Sequence, residues 1–277
     1  MREEDLSEVR NLPLFRNMRA ANFQTLMQGA YSQRFPGRLE LIQQGQRADF
    51  LHVVVEGSVE LYADWQGAST TMAVVRPVGT FILAACIRDL PYLMSARTLE
   101  PARVLLVPAS DLRATFREDP EFAVSIVGEL AGAFRSMARH AKNLKLRNSR
   151  ERIIGYLLEQ SEMSGGADQF VLQVEKRLVA SYLGMTAENF SRALRTLEGE
   201  GIHMKGQTVT IIDRAALMRA CPPDILIDGP DPEPMSGGVS LPGPELPGSR
   251  QERRSAAGQG GVGQQFRDPN ETRPGRT

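Results

Sequence analysis

The sequence predicts an α+β chain in which a β-roll of the jelly-roll type leads into one long helix and then a helix-turn-helix. Glycines recur between Gly37 and Gly79 at intervals of 8 to 12 residues, with short alternating apolar runs between them, which is typical of all-β folds. Apolar residues then recur at steps of three or four across residues 119–147, which indicates a long amphipathic helix. A helix, a turn at Gly184-Met185 and a second helix follow.

These patterns divide the chain into four segments. We expect a β-roll with an N-terminal helix over 1–118, a long amphipathic helix over 119–147, a helix-turn-helix domain over 148–221, and a tail over 222–277. The tail holds 10 of the 17 prolines and 10 of the 25 glycines and has no apolar period, so we predict that it is disordered. An unselected extension is favoured over a partner-binding tail.

Composition excludes several classes of protein. The formal net charge is zero, so affinity for nucleic acid would have to come from a local surface. Two cysteines without a C-x-x-C spacing disfavour a zinc ribbon and an iron–sulfur cluster. There is no phosphate-binding glycine loop and no Ser/His/Asp arrangement, so we do not expect an enzyme. A charged N-terminus and short apolar stretches predict a cytoplasmic protein without a membrane segment.

The long helix carries an apolar seam that resembles a heptad pattern. Such a face packs on a twin helix in a two-fold dimer or is buried within one monomer, and we favour the dimer. The residues expected at the interface are Ile126, Leu130, Phe134, Met137, Ala141 and Leu144.

The second helix of the helix-turn-helix has the pattern of a DNA-reading helix. Glu188, Ser191 and Arg192 share one face, where Arg192 can donate two hydrogen bonds to guanine and Glu188 can accept from cytosine. The alternative for Glu188 and Arg192 is an exposed i, i+4 ion pair. The candidates for phosphate contacts, which position without specifying, are Lys176, Thr186, Arg195 and Lys205. Packing of the helix is expected through Phe190, Ala193, Leu194 and Leu197, against Leu178, Val179 and Leu183.

From Leu12 to Arg219 the chain resembles the Crp/Fnr superfamily of dimeric bacterial transcription regulators. The segment Lys176–Arg192 with Leu197–Ile202 is similar to the denitrification-regulator branch, called Dnr. The resemblance implies a cyclic-nucleotide-binding-like β-roll, a winged helix-turn-helix and a homodimer. It also implies a palindromic operator with TTGAT-like half-sites, read by Glu188, Ser191 and Arg192, and RNA polymerase as a partner.

The same resemblance places an effector pocket and disfavours cyclic AMP as its ligand. Members that bind cyclic nucleotides have a Gly-Glu pair and an Arg-Ser or Arg-Thr pair in this region, and the arginine contacts the cyclic phosphate. Leu83 and Ala84 stand at the Gly-Glu positions here, Met94 stands at the arginine position, and Ser95 is retained. Loss of the arginine removes a charge-assisted contact. With Phe81, these residues predict an apolar pocket; Arg97 could substitute unless strand alternation aims it at another face.

An apolar pocket admits haem as a possible effector, because Dnr-like members resemble haem-based nitric oxide sensors. The candidate axial ligands are His52, Cys86 and His140, with Met94 less typical. Each has a plainer structural role open to it, and a regulator without any small effector is a further alternative. A second class of function is a β-roll protein that controls a protein partner, with the helix-turn-helix as a scaffold.

Overall fold

A computed structural model describes residues 3–77 and 79–229. Its elements follow the predicted order of β-roll, long helix and DNA-binding-type domain. The helices are α1 (Glu3–Arg10), α2 (Pro13–Arg16), α3 (Ala20–Gly29), α4 (Leu83–Arg88), α5 (Ala109–Glu118), α6 (Pro120–Leu146), α7 (Ser149–Met163), α8 (Lys176–Tyr182), α9 (Ala187–Glu198) and α10 (Arg214–Ala220). The strands are β1 (Tyr31–Phe35), β2 (Glu40–Ile42), β3 (Phe50–Glu56), β4 (Val59–Trp65), β5 (Ala68–Val75), β6 (Gly79–Phe81), β7 (Ser95–Thr98), β8 (Ala102–Pro108), β9 (Gln169–Val171), β10 (Ile202–Lys205) and β11 (Thr208–Ile211).

The β-roll is built from two antiparallel four-stranded sheets, ordered β1-β8-β3-β6 and β2-β7-β4-β5. Strand alternation sends Leu61 and its cross-strand neighbour Ala96 into the core, where both are almost fully buried. Glu60 and its neighbour Arg97 lie on the opposite face of the same sheet. The predicted fold class, a jelly-roll domain followed by a long helix and a helix-turn-helix, is confirmed.

The N-terminal helical region departs from the single helix expected. It consists of three short helices, because Pro13 begins a new helix and the chain leaves helical geometry at Arg19. Asp119 ties this region to α6: its carboxylate accepts from the backbone N–H groups of Arg19, at 2.8 Å, and Phe122, at 3.1 Å. It also accepts from the side chain of Asn22 at 3.0 Å. The long helix therefore begins at a fixed point on the β-roll.

The long helix α6 has two apolar stripes, which corrects the predicted seam. Ile126 is fully buried in the core of its own β-roll, so it offers no surface to a twin. Leu130 packs partly against that core, and Leu144 lies beside Gly184 of the helix-turn-helix. The exposed stripe instead follows a regular three-four spacing: Val124, Val127, Ala131, Phe134, Ala138 and Ala141, with Ala141 half-buried. The two stripes overlap in sequence, so periodicity alone did not separate them.

The C-terminal domain begins with a capping box at α7, in which the Asn148 side chain accepts from Glu151 N–H and the Glu151 side chain accepts from Asn148 N–H. Its three-stranded sheet has the order β10-β11-β9. The wing is the β10–β11 hairpin, which turns at Gly206 with a φ of 63°. Arg214 binds Asp168 and Glu162, which fixes α10 against the end of α7.

The β-roll and the C-terminal domain touch through the edge strand β5. The N–H of Thr71 donates to Ser181 Oγ of α8 at 2.7 Å, and Val74 belongs to the hydrophobic core of the C-terminal domain. On α6, the His140 ring lies against the Tyr182 ring with centroids 4.4 Å apart. One buried cluster therefore takes side chains from both domains.

The prediction of a disordered tail from residue 222 is wrong for its first eight residues. Residues 222–229 form a turn that hydrogen-bonds to α6 and to the residue that follows it, and Asp228 forms an ion pair with Arg147. The proline-rich composition predicts that this segment cannot compensate the entropic cost of becoming ordered. The contacts with Arg147 and α6 supply that compensation. The remainder of the predicted tail, 230–277, lies outside the described residues.

Candidate nucleic-acid interface

The helix-turn-helix is formed by α8 and α9, joined by a turn at Gly184. Gly184 has a φ of 65°, and a Cβ there would lie 3.0 Å from both Arg152 Nη1 and Leu144 Cδ2. A side chain at this position would be strained by the backbone and crowded by both neighbours. The Nη1 of Arg152 also donates to Leu183 O at 2.6 Å, which fastens the turn to α7.

The packing face of α9 is the one predicted. Phe190 and Leu197 are fully buried and Leu194 nearly so, in the same cluster as Leu178 and Val179 of α8. Leu183 joins that cluster, and Ala193 packs against it. The orientation of α9 about its own axis is therefore set by the hydrophobic core, which decides which side chains face outward.

The outward face of α9 presents Glu188, Ser191 and Arg192, all exposed. Within the described residues no ion pair joins Glu188 to Arg192, although both belong to the same helical face. Both side chains are therefore available to donors and acceptors outside the protein. The exposed face of α9 therefore presents one carboxylate, one hydroxyl and one guanidinium side by side.

Four further side chains were expected to contact phosphates. Thr186 is the N-cap of α9, and its Oγ1 accepts from Asn189 N–H at 3.2 Å, which leaves the hydroxyl hydrogen free to donate. Arg195 is exposed on α9, Lys205 is exposed at the tip of the wing, and Lys176 is half-buried at the start of α8. The positive end of the α9 dipole adds to the attraction for an anion beside Thr186.

Sequence reasoning missed one exposed residue of the first turn, Asn189. Its side chain is exposed between Glu188 and Arg192, and asparagine can pair with the edge of adenine. Asn189 lies three residues after the N-cap Thr186, so helical spacing alone places it in the first turn beside Glu188.

The five residues expected to line the effector pocket do not converge, which corrects that prediction. Phe81 and Leu83 lie in the β-roll core, with Met94 packed partly against it. Ala84 is exposed on α4, and Ser95 lies on the outer face of its sheet, opposite Tyr62, where Ser95 Oγ accepts from Gln44 N–H at 3.0 Å. The reason is the strand period of two: Ala96 points inward, so Ser95 points outward.

Arg97 shares this outer face and does not replace the missing arginine. Its Nε donates to Glu60 Oε2 at 2.7 Å, and its guanidinium lies 4.5 Å from the centroid of the Tyr62 ring. Burial would lower the pKa of Arg97, but the hydrogen bond and the charge of Glu60 raise it overall. Thr71 Oγ1 donates to the other oxygen of Glu60 at 2.7 Å, so the carboxylate is occupied on both sides.

The two leading candidates for haem ligation, His52 and Cys86, are both buried in packed surroundings. The His52 ring stacks on the Phe81 ring with their centroids 4.9 Å apart. It packs edge-on against the Tyr92 ring with their centroids 6.5 Å apart. Burial lowers the pKa of His52 to about 4. Cys86 Sγ donates to Phe50 O at 3.2 Å, and burial raises its pKa to about 12, so the thiol is protonated. His140 contacts Tyr182 instead, and burial lowers its pKa.

This environment does not fit a haem ligand, because an axial imidazole or thiolate needs an open face towards iron. In the described part of the chain, no group of three or more His, Cys, Asp or Glu side chains is placed to hold a metal ion. Among the same residues, no helix combines the length and apolarity needed to cross a bilayer.

Comparison with known proteins matches both halves of this architecture. Residues 32–119 match the cyclic nucleotide-binding domain family and residues 151–220 match the Crp-like helix-turn-helix domain family. The chain is 28% identical over 135 residues to the nitrogen fixation regulation protein FixK of Azorhizobium caulinodans, a match that covers 46% of this chain and 54% of FixK. The chain thus spans only about half the length of that relative.

A longer match relates the chain to the cAMP-activated global transcriptional regulator CRP of Pasteurella multocida, at 21% identity, covering 64% of this chain and 88% of CRP. The fold is similar to that of FixK2 from Bradyrhizobium japonicum, with a TM-score of 0.58 and 24% identity, covering 70% of this chain and 98% of FixK2. With a cyclic nucleotide-binding domain followed by a Crp-like helix-turn-helix, the chain belongs to the Crp/Fnr family of transcription regulators.

Proposed function

We propose that this protein is a homodimeric regulator that reads a palindromic operator with TTGAT-like half-sites through α9. The observation that carries the proposal is the outward face of α9, where Glu188, Ser191 and Arg192 are exposed while Phe190 and Leu197 anchor the opposite face. Helices held in this way lie in the major groove, where a carboxylate and a guanidinium distinguish cytosine from guanine. The protein acts where chromosomal DNA is, in the cytoplasm, and RNA polymerase is its expected partner.

The exposed stripe of α6 supports the homodimer. Val124, Val127 and Phe134 are 68%, 60% and 74% exposed, which is unusual for large apolar side chains repeated along one helix face. A two-fold axis would bring this stripe against the same stripe of a second copy of α6. The three-four spacing allows the side chains of two such helices to pack along their length. Two reading heads related by that axis would match two half-sites about 34 Å apart.

The effector proposed is not cyclic AMP. Ala84 and Met94 stand where the nucleotide-binding pattern has Glu and Arg, and Arg97 is held by Glu60 on the outer face. An anionic ligand inside the roll would therefore lack its strongest expected partner. The Dnr branch stays a prediction that rests on the residues of α8 and α9.

The test is fluorescence anisotropy with a TTGAT-N4-ATCAA duplex and a duplex with scrambled half-sites, at one stated salt concentration. We expect tighter binding to the first. Arg192→Ala should lose about 1 to 3 kcal/mol on the operator and little on the scrambled duplex. Lys176→Ala should weaken both duplexes alike and flatten the salt dependence, since a phosphate contact carries no sequence information.

Two outcomes would contradict the proposal. If the wild-type protein does not distinguish the duplexes with or without candidate effectors, α9 does not read this sequence. If Arg192→Ala loses equally on both duplexes, Arg192 contacts phosphate and not a base. Absence of binding to either duplex would favour the alternative in which the helix-turn-helix is only a scaffold.

A further inference from the structure

The segment 222–229 follows α10, beyond the part of the chain that matches the Crp-like helix-turn-helix family. We call it the C-terminal strap. It is braced internally: Asp224 N–H donates to Asp228 Oδ2 at 2.8 Å, and Leu226 N–H donates to Asp224 Oδ1 at 2.7 Å. The strap therefore has a defined shape of its own and carries the Asp228 carboxylate at a fixed place.

The strap is anchored where α6 ends. Both guanidinium nitrogens Nη1 and Nη2 of Arg147 donate to the Asp228 carboxylate, each at 2.6 Å. The Arg147 side chain is only 9% exposed, so this bidentate pair is largely shielded from water. Arg139 donates to Gly229 O at 3.2 Å and Lys142 donates to Leu226 O at 3.3 Å, which extends the contact along two turns of α6.

Arg147 occupies the joint between α6 and the C-terminal domain. It is the C-cap of α6, with an extended backbone, and the next residue, Asn148, is the N-cap of α7. Two residues with extended backbone thus separate two rigid helices. Rotation about this linker is what would change the angle between the long helix and the reading head.

A third element makes room for the pair. A Cβ at Gly155 of α7 would lie 2.9 Å from Arg147 Nη1 and 3.7 Å from Asp228 Oδ1. Glycine destabilises a helix interior relative to alanine, so its presence here is explained by the close approach of the guanidinium. The pair therefore contacts α6, α7 and the strap at once.

We propose that Asp228 is a positioning residue for DNA binding, which locks the α6–α7 linker through Arg147 and so fixes the angle of the reading head. The inference rests on the proposed function, since it concerns how two heads reach two half-sites. A locked linker raises the effective concentration of the second head once the first is bound, whereas a loose linker does not. In this proposal the strap acts on the joint between α6 and α7 and not through a contact of its own with DNA.

The experiment compares Asp228→Asn with the conservative Asp228→Glu and with Asp64→Asn, which makes the same change at an exposed position of the β-roll. Affinity is measured for a duplex with two half-sites and for one with a single half-site. We expect Asp228→Asn to lose roughly tenfold on two half-sites and nothing on one, because only two-headed binding uses the linker. Asp228→Glu should recover most of the loss, and Asp64→Asn should match wild type.

A second measurement needs no DNA. Trypsin cleaves after arginine, and the Arg147–Asn148 bond should be protected while Arg147 is held by Asp228. Asp228→Asn should expose this bond, as shown by a fragment that begins at Asn148. Gly155→Ala keeps both charges and favours helix α7, yet its Cβ displaces the guanidinium, so it should act in the same direction.

Three results would overturn the inference: equal losses on one and two half-sites, no loss on two half-sites, or unchanged cleavage at Arg147 in both variants. If the wild-type protein fails to discriminate duplexes, the proposed function fails, while the cleavage result still decides whether the strap locks the linker.

Discussion

His52 should make the stability of the β-roll depend on pH. The ring lies in β3, only 5% exposed, between the rings of Phe81 and Tyr92. Burial lowers its pKa from 6.5 to about 4, and a hydrogen bond with the backbone of Phe50 opposes only part of that effect. The folded protein therefore holds His52 neutral in a range where the unfolded chain is protonated.

The direction and size follow from proton linkage. Above pH 6.5 neither state binds the proton, and His52 has no effect. Between pH 6.5 and about 4 only the unfolded chain binds it, so the free energy of unfolding falls as the pH falls; below about 4 the effect levels off. At about 1.4 kcal/mol for each tenfold change in proton affinity, the full loss amounts to roughly 3 kcal/mol.

The assay is urea unfolding followed by circular dichroism between pH 7.5 and 4.5, with His52→Phe compared with wild type. The difference between the two curves isolates His52, since His140, whose pKa burial also lowers, titrates in both proteins. His203→Phe is the matched control, because His203 is exposed on the wing. If His52→Phe keeps the whole wild-type slope, the buried neutral histidine is not its source.

The remaining predictions concern α6 and α9. Asp119→Ala should lower the free energy of unfolding by about 2 kcal/mol or more in urea titrations, because a helix cap and its ties to α3 are lost. Ile126→Ala should cost about 3 kcal/mol of stability without changing the sedimentation coefficient, whereas Phe134→Glu should yield monomers in sedimentation velocity with little loss of stability. If Ile126→Ala produced monomers and Phe134→Glu mainly lost stability, the stripe containing Ile126 would form the dimer contact and the stripe containing Phe134 would pack in the core. Thr186→Ala should cost about 1 kcal/mol through loss of the α9 cap, and unchanged thermal unfolding would refute that role.

The sequence pattern predicted the exposed face of α9 because the spacing of apolar residues along one helix determines which face is buried. Phe190, Leu194 and Leu197 recur at helical spacing, so their burial leaves only one face for Glu188 and Arg192. The same reasoning failed on α6, where two apolar stripes share one helix. Which stripe meets the β-roll depends on where the helix begins on that domain.

Other features depend on contacts that are distant in sequence. Arg147 and Asp228 are 81 residues apart, and the proline-rich composition around Asp228 argued for disorder. The family resemblance places Ser95 in an interior pocket, whereas the strand register that sends it outward is set by pairing with β4. The local sequence does not reveal which residue pairs with a charged group, nor which residues of a short strand face the core.

The contact between β5 and α8 limits how freely this regulator can be recombined. Val74 fills the core of the C-terminal domain although it belongs to the β-roll, and Ser181 accepts a hydrogen bond from the backbone of Thr71 at the sheet edge. A C-terminal domain cut at residue 148 would expose the apolar side chains that Val74 covers. A chimera that borrows another reading head must also carry a surface complementary to β5, so the boundary for grafting follows the packed surface and not the linker.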